Sequence, residues 1–482
     1  MARDVTAATL DGRAPVRQGV GMANGNGSGP DADHTFDVVV IGLGPGGEHV
    51  AGTLAERGLR VLGVDNRLVG GECPYWGCIP SKMIVRAADA IAEARRLPGL
   101  AGTVTDVRPD WGVVAKRIRD EATDSWDDRV AVERFTGKGG TFVRGTGVVQ
   151  GPGRVDVDGT AYRATRGIVV NTGTAPTVPP IEGLADVPYW TNHGLIEAAE
   201  LPATLAVLGG GAIGCELSQA VARFGTEVTI VESADRLLAL EEPEASDIVG
   251  KTFAAEGISL RMGTRATRVE KSDDGIRVIL GDGTTVDAER VLVATGRRAD
   301  LQAVGLHTVG VTQDARTVPV DERCRVTDEV WAIGDITGKG AFTHVSMYQA
   351  GIVIRDILGE DGPPASYAAL PRVTFTDPEV GSVGLTEAQA REQLSSVAVG
   401  SVPLGSTTRG WIAKADGIIK VVADADRGVL VGATTAAPAG GEVLGALAVA
   451  VHGEVPVDRL RSMIYAYPTL HRGIEAALAD LR

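Results

Sequence analysis

Two stretches of this chain share one grammar: "FDVVVIGLGPGGEHVAGTLAERGLRVLGVD", Phe36 to Asp65, and "TLAVLGGGAIGCELSQAVARFGTEVTIVE", Thr204 to Glu232. Each passes from an apolar run to a glycine turn, an amphipathic stretch and a second apolar run that ends in a carboxylate. The apolar runs read as buried parallel strands and the amphipathic stretch as a crossover helix. Gly42, Gly44 and Gly47 form G-x-G-x-x-G in the first unit, and Gly209, Gly211 and Gly214 repeat it in the second. The first glycine permits the tight turn, the second lets backbone approach a pyrophosphate, and the third allows close helix packing. The unpaired N–H groups of the helix start then face the phosphates. Asp65 and Glu232 close the units, where a carboxylate can accept from ribose hydroxyls. A lone glycine turn is weak evidence, but each here has its strand, helix and acid in place.

Two cradles in one chain imply two dinucleotides, and a flavin beside a nicotinamide is the pair suited to redox work. Glu232 repels a 2′-phosphate, so NAD is expected and NADP disfavoured; Arg236, four residues on, is the residue that could reverse this.

The rest of the chain frames these units. Residues 1–35 include "GVGMANGNGSGPDADH", too poor in apolar residues to offset ordering entropy, and are expected to form a disordered tail. "GIVVNTGTAPTVPP" (Gly167 to Pro180) and "VLVATGRRAD" (Val291 to Asp300) both read as a strand followed by a Thr-Gly turn. The chain is therefore expected to leave its first domain near residue 175 and return near 297. Beyond about 366 the texture changes to "PRVTFTD", "GIIKVVAD" and "GVLVGATT", alternating strand patterns followed by helix. The expected division is 36–175 and 297–365 for the first dinucleotide domain, 176–296 for the second, and 366–482 for an α+β domain. The fold class is α/β, with two Rossmann-like domains and that C-terminal domain.

Composition narrows the function. A net charge of −15 without a basic stripe argues against nucleic acid. No apolar run reaches the roughly 18 residues of a spanning helix. "MARDVTAATLDGRAP" lacks the apolar core of a secretory signal, so a cytoplasmic location is expected. Four cysteines among 482 residues are too few for a secreted disulfide scaffold. Cys215 and Cys324 stand alone with no histidine cluster, and no metal site is expected.

Cys73 and Cys78 lie in "GGECPYWGCIPSK", Gly70 to Lys82, just before a helical pattern. A thiol near a helix start and a lysine has a lowered pKa, which makes a reactive thiolate plausible; two small core residues is the alternative reading.

With these features together, the chain closely resembles the flavoprotein (pyridine nucleotide-) disulfide oxidoreductases, the family of dihydrolipoamide dehydrogenase, glutathione reductase and mercuric reductase. "GGECPYWGCIPSK", "GGGAIGCELSQ", "ATGRRA", "WAIGDITGKGAFTH" and "VTFTDPEVGSVGLTEAQA" fall in family order, over about residues 36 to 480. The resemblance implies FAD and NAD as cofactors, a homodimer built through residues 366–482, and a small-molecule or peptide disulfide as substrate. It implies that Cys78 is the flavin-side thiolate and Cys73 the interchange thiol, with Lys82 and Glu216 as an ion pair beside the flavin. Asp335 is implied at the ribityl chain, and Ala341, Phe342, Thr343 and His344 along the flavin. Gly71, Gly147, Thr172 and Gly173 join the cofactor-binding set, as do Ile213 and Gly296 on the nicotinamide side.

The family's dithiol-handling members end in His-Pro-Thr-x-x-Glu, whereas this chain reads "YAYPTLHRGIEAAL". Tyr467 stands at the histidine position and Arg472 at the glutamate position, with Tyr465 at the preceding family histidine. Imidazole titrates near neutral pH and can shuttle a thiol proton; a phenol, with a pKa of roughly 10, mostly donates a hydrogen bond. His471 is a nearby candidate to compensate. The expected substrate is therefore a disulfide other than lipoamide or glutathione. The alternatives are a flavoprotein reductase of quinones or metal ions, and a flavin-binding protein with vestigial turnover. Mercuric reductases also carry tyrosine there but add a C-terminal cysteine pair, which "EAALADLR" lacks. Tyr75 and Trp76 imply either an aromatic pocket wall or tighter packing.

Overall fold

Val38, Val39 and Val40 are all fully buried, as a strand covered on both faces requires. In the computed structural model, which describes residues 34–273 and 275–482, they lie in the strand Thr35–Ile41. Val39 and Ile41 enter one apolar core, Val38 and Val40 another on the opposite face. The expected N-terminal tail lies outside the described residues up to residue 33, and the first strand begins one residue before the expected start of order.

Thr35–Ile41 pairs in parallel with Val61–Asp65 on one side and Thr160–Val170 on the other. Thr141–Arg144 extends the sheet at one edge, and Val330–Ala332 joins beside Thr160–Val170. The last of these brings chain from beyond residue 320 back into the first sheet. A second, five-stranded parallel sheet has the order Ser259–Arg261, Glu227–Val231, Thr204–Leu208, Arg290–Val293, Tyr189–Trp190. Between the two sheets the chain crosses twice, and the crossings pair as the short strands Ala175–Pro176 and Arg297–Arg298. A five-stranded antiparallel sheet follows, Pro371–Thr374, Glu379–Gly384, Val429–Ala437, Ile418–Asp424 and Val397–Pro403, carrying the helices Gly440–His452 and Gly473–Ala479. The fold is thus mixed α/β with a C-terminal α+β unit. Among the described residues no helix is long and apolar enough to cross a membrane.

Two packed helices place the site. Cys78–Arg96 lies against Ala212–Arg223 through Ile84, Ala88, Leu217, Ala220 and Val221. The buried guanidinium of Arg223 then binds Asp89 of the first helix (2.6 Å), Glu256 (2.7 Å) and Asp377 (2.8 Å). Glu242, Glu244 and Glu387 form a three-carboxylate cluster of the kind that can hold a cation. Lys420 takes that place, its ammonium 2.9, 2.8 and 2.8 Å from the three. It ties the C-terminal sheet to the Pro243–Ala255 helix. Removing one partner of a buried ion cluster strands the others. Lys420→Ala is therefore expected to destabilise the protein by about 3 kcal/mol, seen as a lower thermal unfolding midpoint; an unchanged midpoint would contradict this reading.

Candidate functional site

The two glycine turns superpose in their chemistry. A Cβ on Gly42 would lie 2.4 Å from the Asn171 carbonyl oxygen, and one on Gly209 would lie 2.4 Å from that of Ala294. A Cβ on Gly47 would meet the Gly42 oxygen at 2.0 Å, and one on Gly214 the Gly209 oxygen at 2.0 Å. Larger residues would push each helix off its strand. Gly44 and Gly211 cap the helices Pro45–Glu56 and Ala212–Arg223, and neither helix has a side-chain cap. Helix starts without such a cap can offer N–H groups to a phosphate, though Pro45 contributes none to the first. Space is open above Gly211, with nothing within 4 Å of its would-be Cβ.

The closing carboxylates repeat as closely. Asp65 accepts from the N–H of Leu43 (2.7 Å) and of Arg67 (2.8 Å). Glu232 accepts from the N–H of Gly210 (2.6 Å) and of Ala234 (2.7 Å). Each acid thus bonds the residue after the first glycine and the residue two beyond itself. Burial raises the pKa of Asp65, and these N–H bonds oppose the shift. The guanidinium of Arg236 is turned into its own loop, donating to Ala239 O (2.9 Å), Glu241 O (3.3 Å) and Ser246 Oγ (3.3 Å).

Thr172 and Gly173 follow the strand Thr160–Val170 of the first sheet, as Thr295 and Gly296 follow the strand Arg290–Val293 of the second. Thr174 donates to the buried Asp335 carboxylate at 2.8 Å. Burial raises the pKa of Asp335 and this bond offsets it. The residues present fit both dinucleotides: FAD at the first turn with Asp65 and Asp335, and a nicotinamide dinucleotide at the second with Glu232.

The cysteine loop packs directly on the first turn, since a Cβ on Gly71 would lie 2.8 Å from Gly44 Cα. Cys73 occupies the short helix Glu72–Tyr75, and Cys78 opens the helix Cys78–Arg96. Both are free thiols, Cys73 half-buried and Cys78 exposed. Thr343 Oγ1, on the first residue of the helix Thr343–Leu358, lies 3.5 Å from Cys78 Sγ. The neighbouring Cys73 thiol lowers the Cys78 pKa to about 6 against the effect of burial, with help from Thr343 and the Lys82 charge. The proximity of Cys78 and burial raise that of Cys73. Lys82 Nζ pairs with Glu216 Oε2 at 2.6 Å, over the Phe375 ring (4.6 Å), while Glu216 Oε1 accepts from the Phe375 N–H (2.8 Å). Phe342 and His344 stack on one another beside Thr343, with His344 Nε2 2.9 Å from Pro371 O.

Other expected residues stand elsewhere. Gly147 is buried in the sheet, where a Cβ would press on Ile41 and Val64. Ile213 is partly exposed at the second turn. Tyr467 is exposed on the C-terminal unit, its hydroxyl donating to Thr408 (3.4 Å) with Arg472 over its ring. His471 lies near the buried Tyr465 ring, at 6.2 Å. Within one chain neither Tyr467 nor His471 hydrogen-bonds with the cysteine pair. Tyr75 and Trp76 are buried in the core, so their role is packing. The buried pair Cys215 and Cys324 have raised thiol pKa values through burial. Sequence reasoning missed Asn171, Thr174 and Arg297. The adjacency of Thr174 to Thr172-Gly173, and of Arg297 to Gly296, was the available signal.

Residues 36–350 match the model of the Pyridine nucleotide-disulphide oxidoreductase family, and residues 370–478 match that family's dimerisation domain. The chain is 33% identical to dihydrolipoyl dehydrogenase of Thermus scotoductus over 92% of this chain and 97% of that one. It is 31% identical to mercuric reductase of Bacillus cereus, covering 93% and 72%. Among solved structures, the Cu(II) complex of the HOCl-induced flavoprotein disulfide reductase RclA from Escherichia coli aligns with a TM-score of 0.80 at 26% identity, covering 92% and 99%. LpdA from Mycobacterium tuberculosis aligns with a TM-score of 0.81 at 26% identity, with the same coverage.

The paired turns make a separable prediction. Gly47→Ala is expected to purify with well under one flavin per chain by visible absorbance. Gly214→Ala should keep its flavin and lose reduction by the nicotinamide. Equal loss of both functions in each variant would contradict the assignment of the two turns.

Proposed function

The chain belongs to the pyridine nucleotide-disulphide oxidoreductases, FAD- and NAD(P)H-using enzymes, and from that premise we propose that it passes electrons from NADH to the Cys73–Cys78 pair and on to a disulfide other than lipoamide or glutathione. FAD, when bound, supplies the hydride acceptor and the two-electron donor to that pair. The observation that carries the reading is the thiol pair itself. Cys78 opens its helix 3.5 Å from Thr343 Oγ1, and the neighbouring Cys73 thiol, with Thr343 and the Lys82 charge, lowers its pKa to about 6.

This arrangement handles protons without an imidazole. In the reduced pair one proton is shared between two sulfurs. The pKa order keeps that proton on Cys73, so attack on a disulfide R–S–S–R proceeds from the minor form in which it has moved to Cys78 and Cys73 is the thiolate. The new bond is Cys73–S–S–R, and RS⁻ departs. Cys78 then gives its proton to that RS⁻, becomes a thiolate and attacks Cys73 sulfur, releasing the second RS⁻, which is protonated by solvent. The cysteine pair ends oxidised and the substrate reduced by two electrons. Acidic leaving thiols suit such a path best, because departure is faster for a lower pKa.

Domain division at about 175, 296 and 365 belongs to the same reading, as does a homodimer in which Tyr467 of one chain lies toward the other's pair. The closed loop around Arg236 favours NADH, because its donors are already committed.

A second reading, reduction of a soft metal ion, is favoured by Tyr467. Metal reduction needs no dithiol acid–base group, and paired thiolates suit soft ions. Relatives named for mercuric reduction, and the neighbour solved with Cu(II), are consistent with it.

Cys73→Ser and Cys78→Ser should each cut disulfide turnover at least about a hundredfold, while NADH still bleaches the flavin. Wild-type turnover in both would remove the pair from the pathway. In stopped-flow flavin reduction, NADH should outpace NADPH at equal concentration; the reverse order would overturn the coenzyme assignment.

A further inference from the structure

Glu72 immediately precedes Cys73, and three donors from separate parts of the chain meet on its carboxylate. His193 Nε2 lies 2.8 Å from Oε1, and Arg67 Nη1 lies 3.5 Å from the same oxygen. Arg297 Nη2 lies 3.3 Å from Oε2, a buried atom with no hydrogen bond of its own. Burial works against the ionised carboxylate, but the His193 bond and the Arg297 charge outweigh it.

Each donor is itself anchored. Arg297 donates to Thr174 Oγ1 (2.9 Å) and Thr174 O (2.6 Å), and Thr174 holds Asp335. His193 Nδ1 faces Arg67 Nη2 at 3.3 Å. A guanidinium can only donate, so Nδ1 accepts and the ring proton sits on Nε2, toward Glu72. Both ring nitrogens are therefore engaged, and the imidazole has no free site from which to shuttle a thiol proton. The ring also stacks on Trp76 at 4.6 Å and 7°. Trp76 in turn donates to Glu197 (2.6 Å) and accepts through its carbonyl from Asn192 (2.8 Å). Glu72 and Trp76 thus flank Cys73 and clamp its loop to residues 192–197 on one side and to the Asp335 neighbourhood on the other.

We propose that Glu72 is a positioning residue for the cysteine pair: through Arg297 and His193 it holds the Cys73 end of the loop in place opposite Cys78. The inference rests on the reading that this pair works in the reaction. Its consequence is that the reactivity of Cys78 depends on a carboxylate one residue before Cys73 that is held by Arg297 and His193.

Glu72→Gln keeps the shape and an oxygen for His193 but removes the charge that pairs with Arg297. In holoenzyme reduced anaerobically with one equivalent of NADH, iodoacetamide modification of Cys78 at pH 6, mapped by peptide mass, should slow by about fivefold. The kcat for disulfide reduction should fall by about tenfold with the KM for NADH unchanged. Arg277→Gln, in an exposed hairpin pair with Asp287, is the control that should move neither. Should Glu72→Gln fail to fold, Arg297→Lys, which retains the charge and loses the planar grip on Thr174, is read the same way and should show the same direction of change. Wild-type Cys78 reactivity and kcat in the folded variant would overturn the proposal. That failure is distinct from failure of the functional reading, which is decided by turnover in the two cysteine variants.

Discussion

The ion pair between Lys82 and Glu216 joins three parts of the chain at one buried carboxylate. Lys82 comes from the helix that begins at Cys78, Glu216 from the helix behind the second glycine turn, and the Phe375 N–H from the first strand-turn of the C-terminal unit. An isolated buried carboxylate costs several kcal/mol, so each partner is a condition for the others being where they are. With that junction made, the helix Cys78–Arg96 lies along the helix behind the second glycine turn, and its first residue, Cys78, meets Thr343 of the returning chain. The Arg223 cluster fixes the same two helices at another point, and Lys420 ties the C-terminal sheet to the Pro243–Ala255 helix. The site is therefore held by charges shared between units rather than by any one unit.

The internal repeat explains why a carboxylate ends each second strand. Asp65 and Glu232 hold their own glycine turns through equivalent N–H groups. One residue shapes each cradle. The same economy is visible at Thr174, which holds Asp335 on one side and Arg297 on the other.

What was legible in the sequence follows from what local pattern can encode. Strand, glycine turn, helix and acid lie close together along the chain, so both cradles could be read directly, as could the cysteine pair beside the helix start. The three C-terminal strand patterns are likewise found as Pro371–Thr374, Ile418–Asp424 and Val429–Ala437. Long-range pairings were not legible. Nothing in "GGECPYWGC" says that Glu72 meets Arg297, or that Trp76 stacks on His193, because those partners arrive by crossings between sheets. For the same reason the aromatic residues between the cysteines left two readings open, and only burial separates packing from a pocket wall.

The proposed chemistry requires Cys78 to be a thiolate at neutral pH, with the Cys73 thiol, Thr343 and Lys82 lowering its pKa. The direct measurement is the long-wavelength thiolate–flavin charge-transfer absorbance of the enzyme reduced anaerobically with one equivalent of NADH, followed from alkaline to acidic pH. The account predicts a band present at neutral pH that is half lost at about pH 6. A band that is absent throughout, or already half lost near the ordinary thiol pKa of roughly 8.5, would contradict it.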